Sequence, residues 1–192
     1  MTGRTHDLAA FGTLATLVLS QPVRTVTLST LILSILANQI GGIAPDIDQP
    51  TAPLWRNLPI GGPIGKVFDR LLGGHRFLTH SLLGVVLFGY ATKFILGILR
   101  PLLPHADIGV ITWAFVIGMI THLIMDTFTK EGVPWLLPIP VKFGFPPMKK
   151  LRITTGKNVE NLLVFPGLIA LILWLFASHY QKILAILHHH IV

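Results

Sequence analysis

Four long stretches of this chain are almost free of charge, and they decide what it can fold into. Thr25 to Pro45, Ile108 to Met125 and Asn161 to Ser178 contain no Asp, Glu, Lys or Arg, and Phe77 to Leu99 is interrupted only by Lys93 after its opening turn. A helix needs about 20 mostly apolar residues to cross the hydrocarbon core of a bilayer. Pro166 falls inside the last run and is expected to kink it, which lipid-buried helices tolerate. Leu8 to Val23 is a fifth, shorter run. Its start is too weakly basic for a cleaved signal peptide, and no small-residue cleavage site follows it. The expectation is an all-α integral membrane protein. It forms one membrane-embedded domain over 1–192, with five spans at roughly 8–23, 26–44, 78–99, 109–128 and 161–178. Apolar residues at helical spacing with Lys66, Asp69 and Arg70 between them make 63–73 an interfacial helix. The 129–160 segment, rich in Pro, Gly and Lys, has no helical period and reads as a loop.

Composition agrees. Only 12% of residues are charged, about half the share usual in soluble domains, and mean hydropathy is +0.69. The net charge of +7 would suit a nucleic-acid binder, but in so apolar a chain basic loops facing anionic headgroups explain it more simply. With five spans, the N-terminus, the 45–77 loop and the 129–160 loop share one side. That side carries eleven of the fifteen Lys and Arg; Arg24, Lys93, Arg100 and Lys182 lie on the other. The richer side is expected to face the cytoplasm, which makes this a multi-pass protein of the cell's inner membrane. There is no cysteine, so disulfides and thiolate metal sites are excluded.

The unusual polar residues fall on that same side: His6 before the first span, Asp46 and Asp48 after the second, His75 and His80 around the start of the third. His122 and Asp126 end the fourth, and Glu160 opens the fifth. Imidazole and carboxylate are the common protein ligands of zinc and other first-row divalent ions. His122 and Asp126 are four apart and share a helix face. Asp46 and Asp48 alternate after Pro45 in an extended or turn segment. His75 reaches in from the loop if Gly73-Gly74 breaks the chain and a helix starts near Thr79, with His80 in its first turn. Each residue alone has a structural reading: a hydrogen-bonding helix contact for a lone His, an intrahelical pair for His122 and Asp126, a solvated turn for Asp46 and Asp48, an N-cap for the stretch around His6. Together these readings weaken, because ionisable groups near lipid are costly and usually functional. His105, His179 and the terminal His188 to His190 are read as interfacial or terminal. Lys149, Lys150 and Arg152 are read as a solvated or headgroup contact, with a substrate phosphate site as the sharper alternative. The four tryptophans are read as interface or packing anchors.

The order of these motifs is PDID, GHRFLTHS, a THxxxD helix, TxxGVPWLLP and GxxxE, with a His near the N-terminus. It resembles the YdjM-like family, described as LexA-regulated, inner-membrane-associated metal-dependent hydrolases. Members often have glycine after the HR, where this chain has Phe77. The resemblance runs from His6 to Glu160. It implies a helical membrane protein with a metal site drawn from His6, Asp46, Asp48, His75, His80, His122 and Asp126.

The expected function is a membrane-embedded hydrolase holding one or two divalent ions, zinc first, with manganese, iron or magnesium as alternatives. Seven ligand candidates exceed the three protein ligands usual for one catalytic zinc. A carboxylate outside the ligand set, Asp48 or Glu131, would accept the proton of the attacking water. Arg76 would stabilise an oxyanion or phosphate, and Glu160 would orient a ligating histidine. No G-x-S-x-G is present, and with no cysteine a covalent serine or thiol route is not expected. A site at headgroup level implies membrane lipid as partner and an amphipathic substrate, most simply a phospholipid phosphoester, and no nucleic acid. Two other classes compete. A transporter would place polar groups mid-span or on both faces. A non-catalytic adaptor would use a metal in a closed shell to staple short helices together.

Overall fold

A computed structural model describes residues 1–21, 26–74, 76–139 and 141–191. Among them the helices are α1 (Gly3–Ser20), α2 (Leu28–Ile43), α3 (Pro53–Arg56), α4 (Gly61–Leu71), α5 (Leu82–Ile98), α6 (Ile108–Thr127), α7 (Phe165–Ser178) and α8 (Tyr180–Ile191). The described residues form no strand; Thr129 with Ile153 and Val133 with Phe143 make isolated bridges that fold the 129–160 segment back on itself. Three of the helices start at side-chain caps. Thr27 accepts from the Thr30 N–H, Ser81 from that of Gly84, and Asp107 from that of Val110, each satisfying a backbone donor that the first turn leaves open. After α2 the chain tightens into a 3₁₀ turn, Ala44–Asp48, with Pro45 in its first positions.

Three helical segments are long and apolar enough to cross a membrane: Leu28–Asp48, Ile108–Thr127 and Glu160–Ser178. Of the five expected spans, the second, fourth and fifth reach that length among the described residues. The third expected span, 78–99, shortens to Leu82–Ile98. Residues 76–81 turn instead of coiling, because Arg76 has a left-handed backbone (φ 60°) and Thr79 is drawn to Asp48. The first expected span begins at Gly3, not at residue 8, and its opening turns carry Arg4 and Asp7. The kink expected at Pro166 takes the form of a π-helical turn, Glu160–Val164, in which the Phe165 N–H reaches back to the Glu160 carbonyl. A widened turn relieves the crowding a proline causes upstream. α8 was not expected.

α6 is the central helix. Ile111, Phe115, Met119 and Leu123 are buried at successive helical turns, packed with Ala37, Val85 and Val133. α2 lies parallel to it, their N-terminal ends joined by the Asp107 N–H to Thr30 Oγ1 bond and their C-terminal ends by His122 Nδ1 to the Gly42 carbonyl. The two backbones touch. A Cβ at Gly118 would stand 2.2 Å from the Asn38 carbonyl oxygen, and one at Gly41 would stand 2.1 Å from that of Phe115. Small residues permit this approach where lipid supplies no hydrophobic drive between helices. It carries the end of α2, and the 3₁₀ turn beyond it, onto the last turns of α6.

Candidate metal centre

Two histidines here are set by the bonds of their far nitrogens. His122 Nδ1 lies 2.6 Å from the Gly42 carbonyl oxygen. A carbonyl only accepts, so Nδ1 carries the hydrogen and Nε2 presents its lone pair. Thr79 Oγ1 donates to Asp48 Oδ2 at 2.5 Å and lies 3.0 Å from His80 Nδ1. With its hydrogen committed to Asp48, the Thr79 oxygen accepts from His80 Nδ1–H, and His80 Nε2 is likewise turned inward. The two Nε2 atoms face the same pair of carboxylates. Each lies 3.7 Å from Asp46 Oδ1 and 3.8 Å from Asp126 Oδ2. His6 stacks on His122 with ring centroids 3.6 Å apart, and its Nε2 is 3.2 Å from Asp126 Oδ1.

This donor set could hold a cation. His6, His80, His122, Asp48 and Asp126 are buried, and Asp46 alone of the set is partly open, at 23% exposure. His122 Nε2 has no hydrogen-bond partner among the described residues. An imidazole lone pair turned on carboxylates in a buried site is costly unless something positive lies between them. Donors around a tetrahedral ion with bonds of about 2.1 Å stand about 3.4 Å apart, and the four distances from the two Nε2 atoms to Asp46 and Asp126, 3.7 and 3.8 Å, lie close to that spacing. Two triads are placed to hold an ion, His6–His122–Asp126 and Asp46–His80–His122. They share His122.

The remaining site residues take distinct places. Arg76 is buried. Its Nη2 pairs with Asp126 Oδ2 at 2.5 Å, and its Nη1 donates to Thr129 Oγ1 and the Gly132 carbonyl. Most of its fork is thus spent on the protein. Nε has no hydrogen-bond partner and lies 3.6 Å from Glu131 Oε2. The Met1 ammonium also bonds Asp126. Asp48 is fully buried, and its Oδ2 accepts from the Arg76 N–H as well as from Thr79. Glu131 is 65% exposed at the rim. Among the described residues Glu160 hydrogen-bonds no histidine. It is buried and accepts from the Thr2 N–H, Thr2 Oγ1, Thr5 Oγ1 and the Gly156 N–H, all at 2.7 Å. It therefore pins the first turn of α1 to the start of the last span, and positions His6 only through that turn. His80 precedes the Ser81 cap instead of sitting in the first turn of α5. His75 lies outside the described residues.

Sequence reasoning missed Thr79, the Gly42 carbonyl and Trp55, whose Nε1 donates to the Ile47 carbonyl between the two aspartates. Thr79 stands inside GHRFLTHS and Gly42 just before PDID, so the signal was adjacency to the ligands themselves.

A family model described as YdjM inner membrane protein matches residues 1–187. The chain belongs to that family. Among relatives, the uncharacterized protein YvsG of Bacillus subtilis is 29% identical over 133 residues, which cover 69% of this chain and 72% of YvsG. The inner membrane protein YdjM of Escherichia coli is 35% identical over 105 residues, 54% of this chain, and the match spans about half (48%) of that relative's length. The Shigella flexneri protein of the same name matches equally. No solved structure matches.

Proposed function

We propose that this protein is a metal-dependent hydrolase of the inner membrane, acting on an amphipathic substrate, a lipid phosphoester, at the cytoplasmic interface. The observation that carries the reading is His122. Its Nδ1 is fixed by the Gly42 carbonyl, and its buried Nε2 is turned, without a partner, on Asp46 and Asp126. A metal with one position left to water supplies a hydroxide-like nucleophile near neutral pH and polarises the bond attacked. His122, His80 and Asp46 would hold it, and His6 with Asp126 would hold a second ion or close the shell of the first. Zinc, manganese and iron all suit this donor set.

The chain's own residues divide the remaining work. Asp46, the one partly exposed ligand candidate, marks the side from which substrate arrives. Arg76 holds Asp126 in place with Nη2 and keeps Nε–H for an anionic oxygen of the substrate. Glu131, open to solvent beside that Nε, accepts the proton given up by the attacking water. Asp48 and Thr79 keep His80 in its tautomer.

The test is turnover in lipid nanodiscs, with and without added zinc or manganese, on phosphomonoester and phosphodiester lipids, with products read by mass spectrometry. Metal-dependent release, reduced by about 10²–10⁴-fold in Glu131→Gln, supports the proposal. No turnover by a metal-loaded protein on either class refutes it and leaves the metal as a staple between helices.

A further inference from the structure

We infer that the strap 141–151, VKFGFPPMKKL, is a bilayer-inserted element that docks on anionic lipid and holds the mouth of the site at the membrane surface. It lies outside the candidate spans, yet Val141, Phe143, Phe145, Met148 and Leu151 are all exposed, Met148 and Leu151 at 66% and 62%. Lys142, Lys149 and Lys150 are exposed between them, and the segment holds no acidic residue. A contiguous apolar patch of this kind marks an interaction surface. Lysines interleaved with large apolar groups fit a headgroup layer, where apolar side chains sink and ammonium groups stay with anionic phosphates.

The strap is not a loose loop that could fold these side chains away. Phe143 exchanges both backbone bonds with Val133, and the Phe145 N–H donates to the Thr127 carbonyl. Arg152 donates from Nε to the Pro146 carbonyl at 2.7 Å and from Nη2 to that of Pro147 at 3.1 Å. The Phe145 ring meets Phe128 edge-on. These contacts fix the strap to the end of α6 at Thr127 and Phe128, the two residues after Asp126. Arg76, which holds Asp126, also donates to the Gly132 carbonyl at the strap's root. Bilayer contact thus bears directly on the elements that carry the site. The inference about depth stands whether or not the hydrolase reading does; only the idea that lipid is delivered to the site rests on that reading.

The chain has no cysteine, so single-cysteine variants need no prior engineering. Met148→Cys and Leu151→Cys, each at an exposed position, are labelled with an environment-sensitive fluorophore in the full-length protein. They are reconstituted in phosphatidylcholine vesicles with and without phosphatidylglycerol. Spin labels high on the lipid acyl chains should quench both sites about twofold or more, and iodide in the buffer should not. In phosphatidylglycerol vesicles, joint Lys142→Glu, Lys149→Glu and Lys150→Glu replacement should cut the lipid-borne quenching by about half. Labels quenched by iodide and untouched by the lipid spin labels overturn the inference, as they would if the strap were instead a docking surface for a soluble protein. Quenching unaltered by the charge reversal overturns the assignment to anionic lipid. Neither readout depends on metal or activity, so failure here is distinct from failure of the proposed chemistry.

Discussion

Gly118→Ala tests how the packing of two helices sets the chemistry of the site. The added Cβ would stand 2.2 Å from the Asn38 carbonyl oxygen and 2.8 Å from the Gly42 nitrogen, where ordinary contact begins at 3.4 Å. The obstruction is backbone, so no rotamer change relieves it. The helices must part by about 1 Å, the shortfall between those distances, and overpacking of this kind costs about 1–3 kcal/mol. The Asn38 Nδ2 bond to the Ala114 carbonyl and the His122 Nδ1 bond to the Gly42 carbonyl both cross the same seam. Stretching the second frees the imidazole to rotate, and losing such an outer hydrogen bond typically lowers metal affinity about 10–100-fold. Thermal unfolding in mild detergent, followed by circular dichroism, reads the first effect. Competition with a chromogenic zinc chelator reads the second. A variant with unchanged melting temperature and unchanged zinc affinity would refute the reasoning, because the seam would then not be holding His122.

Three other outcomes follow. Arg76→Ala removes the guanidinium from buried Asp126 and is expected to destabilise by about 3–5 kcal/mol; chemical denaturation in detergent measures it, and a loss below about 1 kcal/mol would show that Asp126 does not need this partner. Glu160→Gln puts an amide group where four donors now converge, so one NH₂ must face an N–H or O–H; a loss of about 1–3 kcal/mol is expected, with metal content retained because none of the four donors is a ligand candidate. Trp55→Phe deletes the bond to the Ile47 carbonyl and shrinks a buried ring packed on Phe68; a loss of about 1–3 kcal/mol, together with weaker zinc binding, would show that the turn carrying Asp46 and Asp48 leans on this indole.

Much of this was legible in the sequence, for reasons particular to each element. The period of α6 put His122 and Asp126 on one face, and the uncharged runs located α2, α6 and the last span to within a few residues. The convergence of His6, Asp46, Asp48, His80, His122 and Asp126 followed from topology, since alternating helices return their ends to the same side. Roles were harder to read than places. Glu160 stands in a signature motif with Gly156, but its other partners are Thr2 and Thr5, and no spacing rule links residues about 155 apart. Arg76 looked available for substrate, but Asp126 takes its Nη2 across fifty residues, and Thr129 and Gly132 take its Nη1. The hold of Thr79 and the Arg76 N–H on Asp48 Oδ2 had no signal in the spacing of PDID and GHRFLTHS. α8 did have a local signal, Ile183, Leu184 and Ile186 at helical spacing after Tyr180, that went unused.

The central claim is that these side chains form a metal site, and metal content tests it most directly. The protein is purified in mild detergent without added metal, and bound elements are counted by inductively coupled plasma mass spectrometry, with His122→Ala and Asp46→Ala prepared alongside. About one or two equivalents of zinc, manganese or iron per chain, lost in both variants while the helical circular dichroism signal is kept, is the predicted result. A folded protein that carries no metal and takes none up from a zinc or manganese buffer contradicts the claim.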